Sequence, residues 1–140
     1  MTGVLTRESR FRPEHISKPP DRNGNFVMCS PSILALDLEG TISSNAVSQI
    51  PRPGLLEFLD RCRELFPRIV LFTTVSETRF RMIADVLIWE RAAPTWFARL
   101  AYVSWTGTIK DLSLICDAAI EDCPLVDDYE EYVHPGQHDQ

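Results

Sequence analysis

The sequence lacks three features that would assign it to familiar classes of protein. No apolar run approaches the roughly 20 residues needed to cross a bilayer, and residues 1–7 have no apolar core like that of a secretory signal. The 4 cysteines form no Cys-x-x-Cys pair, which disfavours a zinc ribbon or a disulfide scaffold and favours buried free thiols. Basic residues are in the minority, with 14 Lys and Arg against 20 Asp and Glu and a net charge of -6. We therefore expect a cytoplasmic protein that binds neither membranes nor, as a general ligand, nucleic acid.

What is present indicates one globular domain behind an N-terminal arm. A chain of 140 residues with 44% hydrophobic and 24% charged residues is ordinary for a single domain. Residues 1–31 mix charged side chains with prolines and have no period of 3.6 or 2, which predicts a flexible arm. Residues 32–140 are expected to form the folded domain.

Apolar runs alternate with helical patterns along this domain. The runs at Ile33–Leu36, at residues 68–74, at residues 102–105 and at residues 124–126 predict strands. Between them, one helix is predicted with an apolar face that includes Phe58, Leu59 and Leu65, and a second with its N-cap at Ser76. The alternation predicts an α/β fold with a mainly parallel sheet.

Chemically competent side chains follow the predicted strands at their carboxyl ends, which is where open parallel sheets bind ligands. They are Asp37, Glu39, Thr73, Thr74, Asp127 and Asp128, with Lys110 shortly before the last pair. Carboxylates gathered at one edge favour a hard cation such as Mg²⁺, and a lysine and a threonine beside it suit phosphate. Asp37 could serve as a nucleophile, and Glu39, two residues on, as a general acid and base.

Each of these features has a simpler interpretation when taken alone. Asp37 and Glu39 could belong to a solvated loop, Thr73 and Thr74 could cap a strand end, and Lys110 could be a surface lysine. The pair Asp127-Asp128 lies in an acidic stretch that could be a solvated face. Their order, with the carboxylates and threonines each following a buried run, favours the functional interpretation.

Four short motifs resemble those of the haloacid dehalogenase (HAD) superfamily of phosphatases. Residues 36–42 (Leu-Asp-Leu-Glu-Gly-Thr-Ile) are similar to the first motif, residues 71–74 to the second, Lys110 to the third, and residues 126–128 to the fourth. Residues 52–59, 110–113 and 134–135 are similar to the small-CTD-phosphatase (FCP/SCP, NIF-type) branch. The resemblance implies a three-layer Rossmann-like core without a cap domain, and a phosphoprotein or other phosphate ester as substrate.

The resemblance also implies residue roles. Asp37 would take the phosphoryl group, Glu39 would be general acid and base, and Lys110 would stabilise the phosphoryl charge. Phosphate would be bound by Thr73, with Thr74 as the substitute, and by Lys110 and Leu38. Magnesium would be held by Asp37, the Glu39 carbonyl, Asp127 and Asp128, with Asp128 favoured over Asp127 as the direct ligand.

Three departures from the family pattern keep alternatives open. Glu39 replaces the usual second Asp, residues 41–51 leave little room for the β-hairpin of the small CTD phosphatases, and the family core continues beyond the position of Gln140. A truncated core would have an open sheet edge. The alternative functions are a catalytically weak or inactive binding or regulatory module, and a HAD transferase or small-metabolite phosphatase.

Trp96 and Phe97 could form an exposed patch, which leaves self-association into a homo-oligomer open.

Overall fold

The computed structural model describes residues 33–45, 47–115, 120–129 and 134–137. The expected N-terminal arm, residues 1–31, lies outside the described residues, as do Cys29 and Cys116. The two cysteines that are described, Cys62 and Cys123, are buried free thiols, as expected. Burial raises the pKa of each of these thiols to about 11. No helix in the described ranges is long and apolar enough to cross a membrane.

The described chain builds a four-stranded parallel sheet. The strands are β1 (Ile33–Leu36), β2 (Arg68–Leu71), β3 (Ala101–Tyr102) and β4 (Leu125–Val126), in the order β3-β2-β1-β4. All four residues of β1 are buried, because this strand has a neighbour on each side and is covered on both faces. The expected mixed α/β architecture with a parallel sheet is confirmed, and it is compatible with a Rossmann-like fold.

Two helices cover one face of the sheet. Helix α1 (Leu55–Leu65) follows Pro53-Gly54, and it ends where Phe66 takes an extended conformation before Pro67. Helix α2 (Glu77–Trp89) begins at Ser76, whose side chain accepts a hydrogen bond from the Arg79 N–H as expected for an N-cap. Both helices pack on the sheet through one apolar core, whose principal members are Leu34, Leu36, Leu59, Ile69, Leu71, Phe80, Ile83 and Leu87.

Short 3-10 turns cover the opposite face. Phe72 packs there edge-on against Trp105, with ring centroids 5.5 Å apart. The turns at Leu112–Leu114 and Ile120–Asp122 contribute the apolar side chains that complete this second core. The described part of the molecule therefore has three layers, but the second outer layer contains turns in place of long helices.

Four sequence-based predictions are wrong in detail. The second strand ends at Leu71 and not at residue 74, because the chain leaves the sheet after the Phe72 N–H has bonded the Leu36 carbonyl. The third strand is Ala101–Tyr102, earlier than residues 102–105, because the chain leaves the sheet after the Val103 N–H has bonded the Leu71 carbonyl. In α1, Phe58 and Leu65 are 40% and 56% exposed, since the helix contacts the sheet through a narrower stripe than the pattern predicts. Phe97 is buried against Phe80, so it forms no exposed patch with Trp96, and homo-oligomer formation stays a prediction.

The strand order determines where a ligand can approach the sheet. From β1 the chain steps outward to β2 and β3 with its helices on one face. It then returns across the other face to β4, on the far side of β1. The direction of winding therefore reverses between β1 and β4. In open parallel sheets the crevice beyond the carboxyl ends of two such strands is the usual ligand site.

Candidate active site

Three carboxylates meet at this crevice. Asp37 follows β1 directly, and Asp127 and Asp128 follow β4, which pairs with β1 in parallel. One oxygen from each carboxylate lies within 4.8 Å of the other two. Burial decreases along the series, since Asp37 is buried, Asp127 is partly buried and Asp128 is exposed.

The ammonium of Lys110 lies between the two more buried carboxylates. Its Nζ donates to Asp37 Oδ1 at 2.8 Å and also to Asp127 Oδ2. The side chains of Lys110, Asp37 and Asp127 are only 1%, 6% and 3% exposed, so water screens this ion triad very little. When all three carboxylates are ionised, one ammonium leaves two negative charges uncompensated in the cluster. A divalent cation would balance them.

Asp37 accepts hydrogen bonds on both oxygens. Oδ1 accepts from Lys110, Oδ2 accepts from the Thr41 hydroxyl at 3.3 Å, and the backbone N–H of Leu38 also bonds this carboxylate. Burial nevertheless raises the pKa of Asp37 above the ordinary value of an aspartate, and the neighbouring Lys110 opposes that rise. Asp37 is thus a buried carboxylate whose charge depends on a nearby cation.

The loop after β1 brings Gly40 under Asp128. Gly40 has a φ of 79°, and a Cβ at this position would lie 2.0 Å from Asp128 Oδ2. The Gly40 carbonyl accepts from the guanidinium of Arg52, including a bond from Nε at 3.1 Å. A glycine is therefore required here both by the left-handed backbone and by the close approach of the carboxylate.

A surface cavity of about 330 Å³ opens in front of the carboxylates. Its lining comprises Asp37, Glu39, Gly40, Ser44, Thr74, Asp128 and Tyr129. The cavity therefore combines acidic groups with hydroxyl groups. Oxygen ligands of this kind suit Mg²⁺, so the donor set fits the ion that the sequence predicts.

The structure thus brings most of the predicted site residues together, at different depths. Glu39 and Thr74 line the cavity beside Asp37, whereas Lys110 and Asp127 lie behind it. Thr73 is fully buried, and its hydroxyl oxygen accepts from the Val75 N–H at 3.3 Å. Leu38 is also fully buried and reaches the site only through its backbone.

Several residues of the site were missed by sequence reasoning. Thr41 and Gly40 belong to the first motif, so their positions were available although no role was given to them. Arg52 and Gln137 carry no comparable signal, because each acts through a hydrogen bond to a residue distant in sequence. Comparison of the chain with protein-family models, with curated proteins and with solved structures gave no match.

The fit between Gly40 and Asp128 predicts a specific effect on cation binding. Gly40→Ala adds a methyl group where Asp128 now lies, so the carboxylate must move away from Asp37 and Asp127. We expect the Mg²⁺ affinity, measured by calorimetry, to fall by about tenfold. Gly54→Ala is the matched control, since Gly54 also has a positive φ, of 75°, but nothing lies within 4 Å of the added Cβ. Both variants should lose about 1–2 kcal/mol of stability from backbone strain. Equal Mg²⁺ affinity in the two variants would contradict the role of Asp128.

Removal of the Lys110 charge should destabilise the protein in a pH-dependent way. Lys110→Met leaves two buried carboxylates without their cation, at a cost of about 3–5 kcal/mol in the free energy of unfolding at neutral pH. Lys110 lowers the pKa of Asp37, so the pKa of Asp37 in the folded variant is higher than in the folded wild type. As the pH falls, Asp37 of the folded variant therefore binds a proton before the same residue of the unfolded chain does, and this binding stabilises the folded variant. Denaturant unfolding without Mg²⁺ should therefore show the difference from the wild type shrinking between neutral pH and about pH 4. A difference that grows on acidification would refute this assignment of charges.

Proposed function

We propose that this chain is a magnesium-dependent phosphomonoesterase of the HAD type, without a cap domain, that forms an aspartyl-phosphate on Asp37. The observation that carries the proposal is the buried triad of Asp37, Lys110 and Asp127 at the point where the sheet reverses its winding. The cavity with Glu39 and Asp128 lies directly in front of it. The proposed nucleophile (Asp37), the ammonium of Lys110, the proposed general acid (Glu39) and the proposed metal ligands thus lie within one small region.

The metal-binding role is best supported for Asp37 and Asp128. Both residues line the cavity, and Asp128 is also exposed. Asp127 is not among the lining residues, and its Oδ2 accepts from Lys110 and its Oδ1 from the Tyr129 N–H at 3.0 Å. Asp127 and the Glu39 carbonyl complete the set of candidate ligands. Bound Mg²⁺ would neutralise part of the charge on the phosphoryl oxygens.

The first chemical step is attack of an Asp37 carboxylate oxygen on phosphorus. The bond from phosphorus to the ester oxygen breaks, and the leaving oxygen takes a proton from Glu39, which lines the same cavity. Lys110 would favour this step twice, because it lowers the pKa of Asp37, against the rise due to burial, and because its ammonium next to Asp37 would attract the charge that develops on the phosphoryl group.

In the second step, water hydrolyses the aspartyl-phosphate. Glu39, now a carboxylate, takes a proton from the water molecule as its oxygen attacks phosphorus. The bond between phosphorus and the Asp37 oxygen breaks, and inorganic phosphate leaves with Asp37 restored. One side chain therefore acts as acid and then as base.

Phosphate binding is supported most directly for Thr74, which is exposed and lines the cavity. Thr73 lies one layer deeper, where its oxygen holds the turn after β2, so its predicted contact with phosphate would require the hydroxyl group to turn. The cavity is bordered by exposed Asp128 and by Tyr129, which is 45% exposed. A site at the surface suits a phosphate on a protein or another bulky ester.

The proposal predicts magnesium-dependent release of phosphate that requires Asp37. The wild type should hydrolyse p-nitrophenyl phosphate in the presence of Mg²⁺ and lose that activity with EDTA. Asp37→Asn should fall to the background rate, since an amide is not a nucleophile of the required strength. Asp60→Asn, which changes an exposed aspartate on α1, is the charge-matched control and should retain activity.

Two other outcomes would overturn this assignment. Equal phosphate release by the wild type and Asp37→Asn would exclude Asp37 as the nucleophile. Tight binding of beryllium fluoride with Mg²⁺ but no turnover would instead favour the alternative of a binding or regulatory module. The specific feature behind that alternative is Glu39, which is one methylene longer than aspartate and shifts its carboxylate by about 1 Å.

A further inference from the structure

The backbone that follows Lys110 is fixed by a distant turn at Pro135–Gln137. The His134 N–H donates to the carbonyl oxygen of Lys110 at 3.0 Å, and the Gln137 N–H donates to the His134 carbonyl at 2.8 Å. Residues 134–137 therefore lie directly against the segment that carries the catalytic lysine.

The side chain of Gln137 makes two further bonds to this segment. Its Oε1 accepts from the Leu112 N–H at 2.8 Å, and its Nε2 donates to Asp111 Oδ1 at 2.9 Å. Gln137 is 8% exposed and its bond to Leu112 is buried, so water competes little with that bond, whereas the bond to Asp111 is partly buried. The orientation of the amide is determined by its partners, because a backbone N–H can only donate and an ionised carboxylate can only accept.

Asp111 links this contact to the turn that follows. Its Oδ1 also accepts from the Ser113 N–H at 2.9 Å, as the N-cap of the turn Leu112–Leu114. The pKa of Asp111 is lowered to about 2, first by the hydrogen bond from the Gln137 amide and next by the bond from the Ser113 N–H. Asp111 is therefore ionised at neutral pH and acts as an acceptor for both donors.

We propose that Gln137 is a positioning residue, which together with Asp111 fixes the backbone from Lys110 to Leu112 and so holds the Lys110 ammonium between Asp37 and Asp127. A lysine side chain has four rotatable carbon bonds, so a fixed backbone lowers the entropy cost of holding its ammonium between two buried carboxylates. Leu112 is 1% exposed in the core on one face of the sheet, which anchors the far end of the same segment. The catalytic meaning of this contact rests on the proposed function, in which Lys110 stabilises the phosphoryl charge.

The sequence makes a direct test feasible, because Lys18 and Lys110 are its only lysines. Brief acylation with an amine-reactive ester, followed by mass spectrometry of the peptides, measures both labelling rates in one sample. In the wild type we expect Lys110 to be labelled much more slowly than Lys18, because its ammonium is buried and ion-paired. Gln137→Met keeps the side-chain length and removes both hydrogen bonds. We expect it to raise the labelling of Lys110 relative to Lys18 by about tenfold, and to lower kcat by a similar factor.

Variants of Asp111 separate positioning from general stability. Asp111→Ala removes the acceptor and should raise Lys110 labelling, whereas Asp111→Asn keeps an acceptor oxygen and should preserve the protection. The double variant Gln137→Met with Asp111→Ala should have a smaller effect than the sum of the two single changes, since both remove the Gln137–Asp111 bond, while each also removes one bond of its own. Asp85→Ala, an exposed aspartate on α2, is the control and should leave Lys110 labelling unchanged.

The outcomes distinguish this inference from the proposed function. Faster labelling of Lys110 in Gln137→Met would support the positioning role, whether or not the wild type is a phosphatase. If the wild type has no phosphatase activity, the proposed function alone is overturned. Unchanged protection of Lys110 in folded Gln137→Met, as judged by circular dichroism, would overturn the positioning role alone. Should Gln137→Met fail to fold, the comparison of Asp111→Ala with Asp111→Asn decides the question, and equal labelling in those two variants would contradict the proposal.

Discussion

The buried ammonium of Lys110 is the interaction on which the candidate site depends. Parallel pairing of β1 with β4 brings Asp37 and Asp127 to the same edge of the sheet, where two carboxylates with little access to water would repel each other. Lys110 makes the arrangement tenable by donating to both. Burying three charges is costly, and their mutual attraction offsets that cost only when the geometry is good. The bonds from His134 and Gln137 to the Lys110 segment maintain such a geometry.

The triad also divides the site into two layers with different roles. The inner layer is the triad itself, to which water has little access and in which Asp37 is ion-paired with Lys110. The outer layer is the cavity, where Glu39, Thr74 and Asp128 are accessible to a ligand. Gly40 allows the two layers to lie close together, since it has no side chain and Asp128 can therefore pack against the loop that follows Asp37. Of the three clustered carboxylates, Asp128 is therefore the exposed one, which is the arrangement that the proposed cation site requires.

The sequence predicted strands best where a short apolar run is followed directly by polar residues. β1 lies where the pattern predicts it and is followed by Asp37, and β2 begins at Arg68 as predicted but ends at Leu71, before Thr73-Thr74. The pattern was less informative at the sheet edge, because β3 is defined by two residues of pairing with β2 and not by its own hydrophobicity. It also overestimated the buried face of α1, where hydrophobicity cannot tell a contact with the sheet from a partly exposed flank such as Phe58. The depth difference between Thr73 and Thr74, and the contact of Gln137 with Leu112, depend on three-dimensional packing and have no periodic signature.

The most direct measurement of the central claim is the location of the phosphoryl group during turnover. Protein mixed with an aryl phosphate and Mg²⁺, then quenched in acid within milliseconds, can be digested and analysed by mass spectrometry. We predict a phosphoryl group on the peptide that contains Asp37, attached at Asp37 itself. We also predict greater accumulation in Glu39→Gln, because loss of the general base slows hydrolysis of the intermediate. Turnover that proceeds with no phosphoryl group on Asp37, or with the group on another residue, would contradict the proposed mechanism.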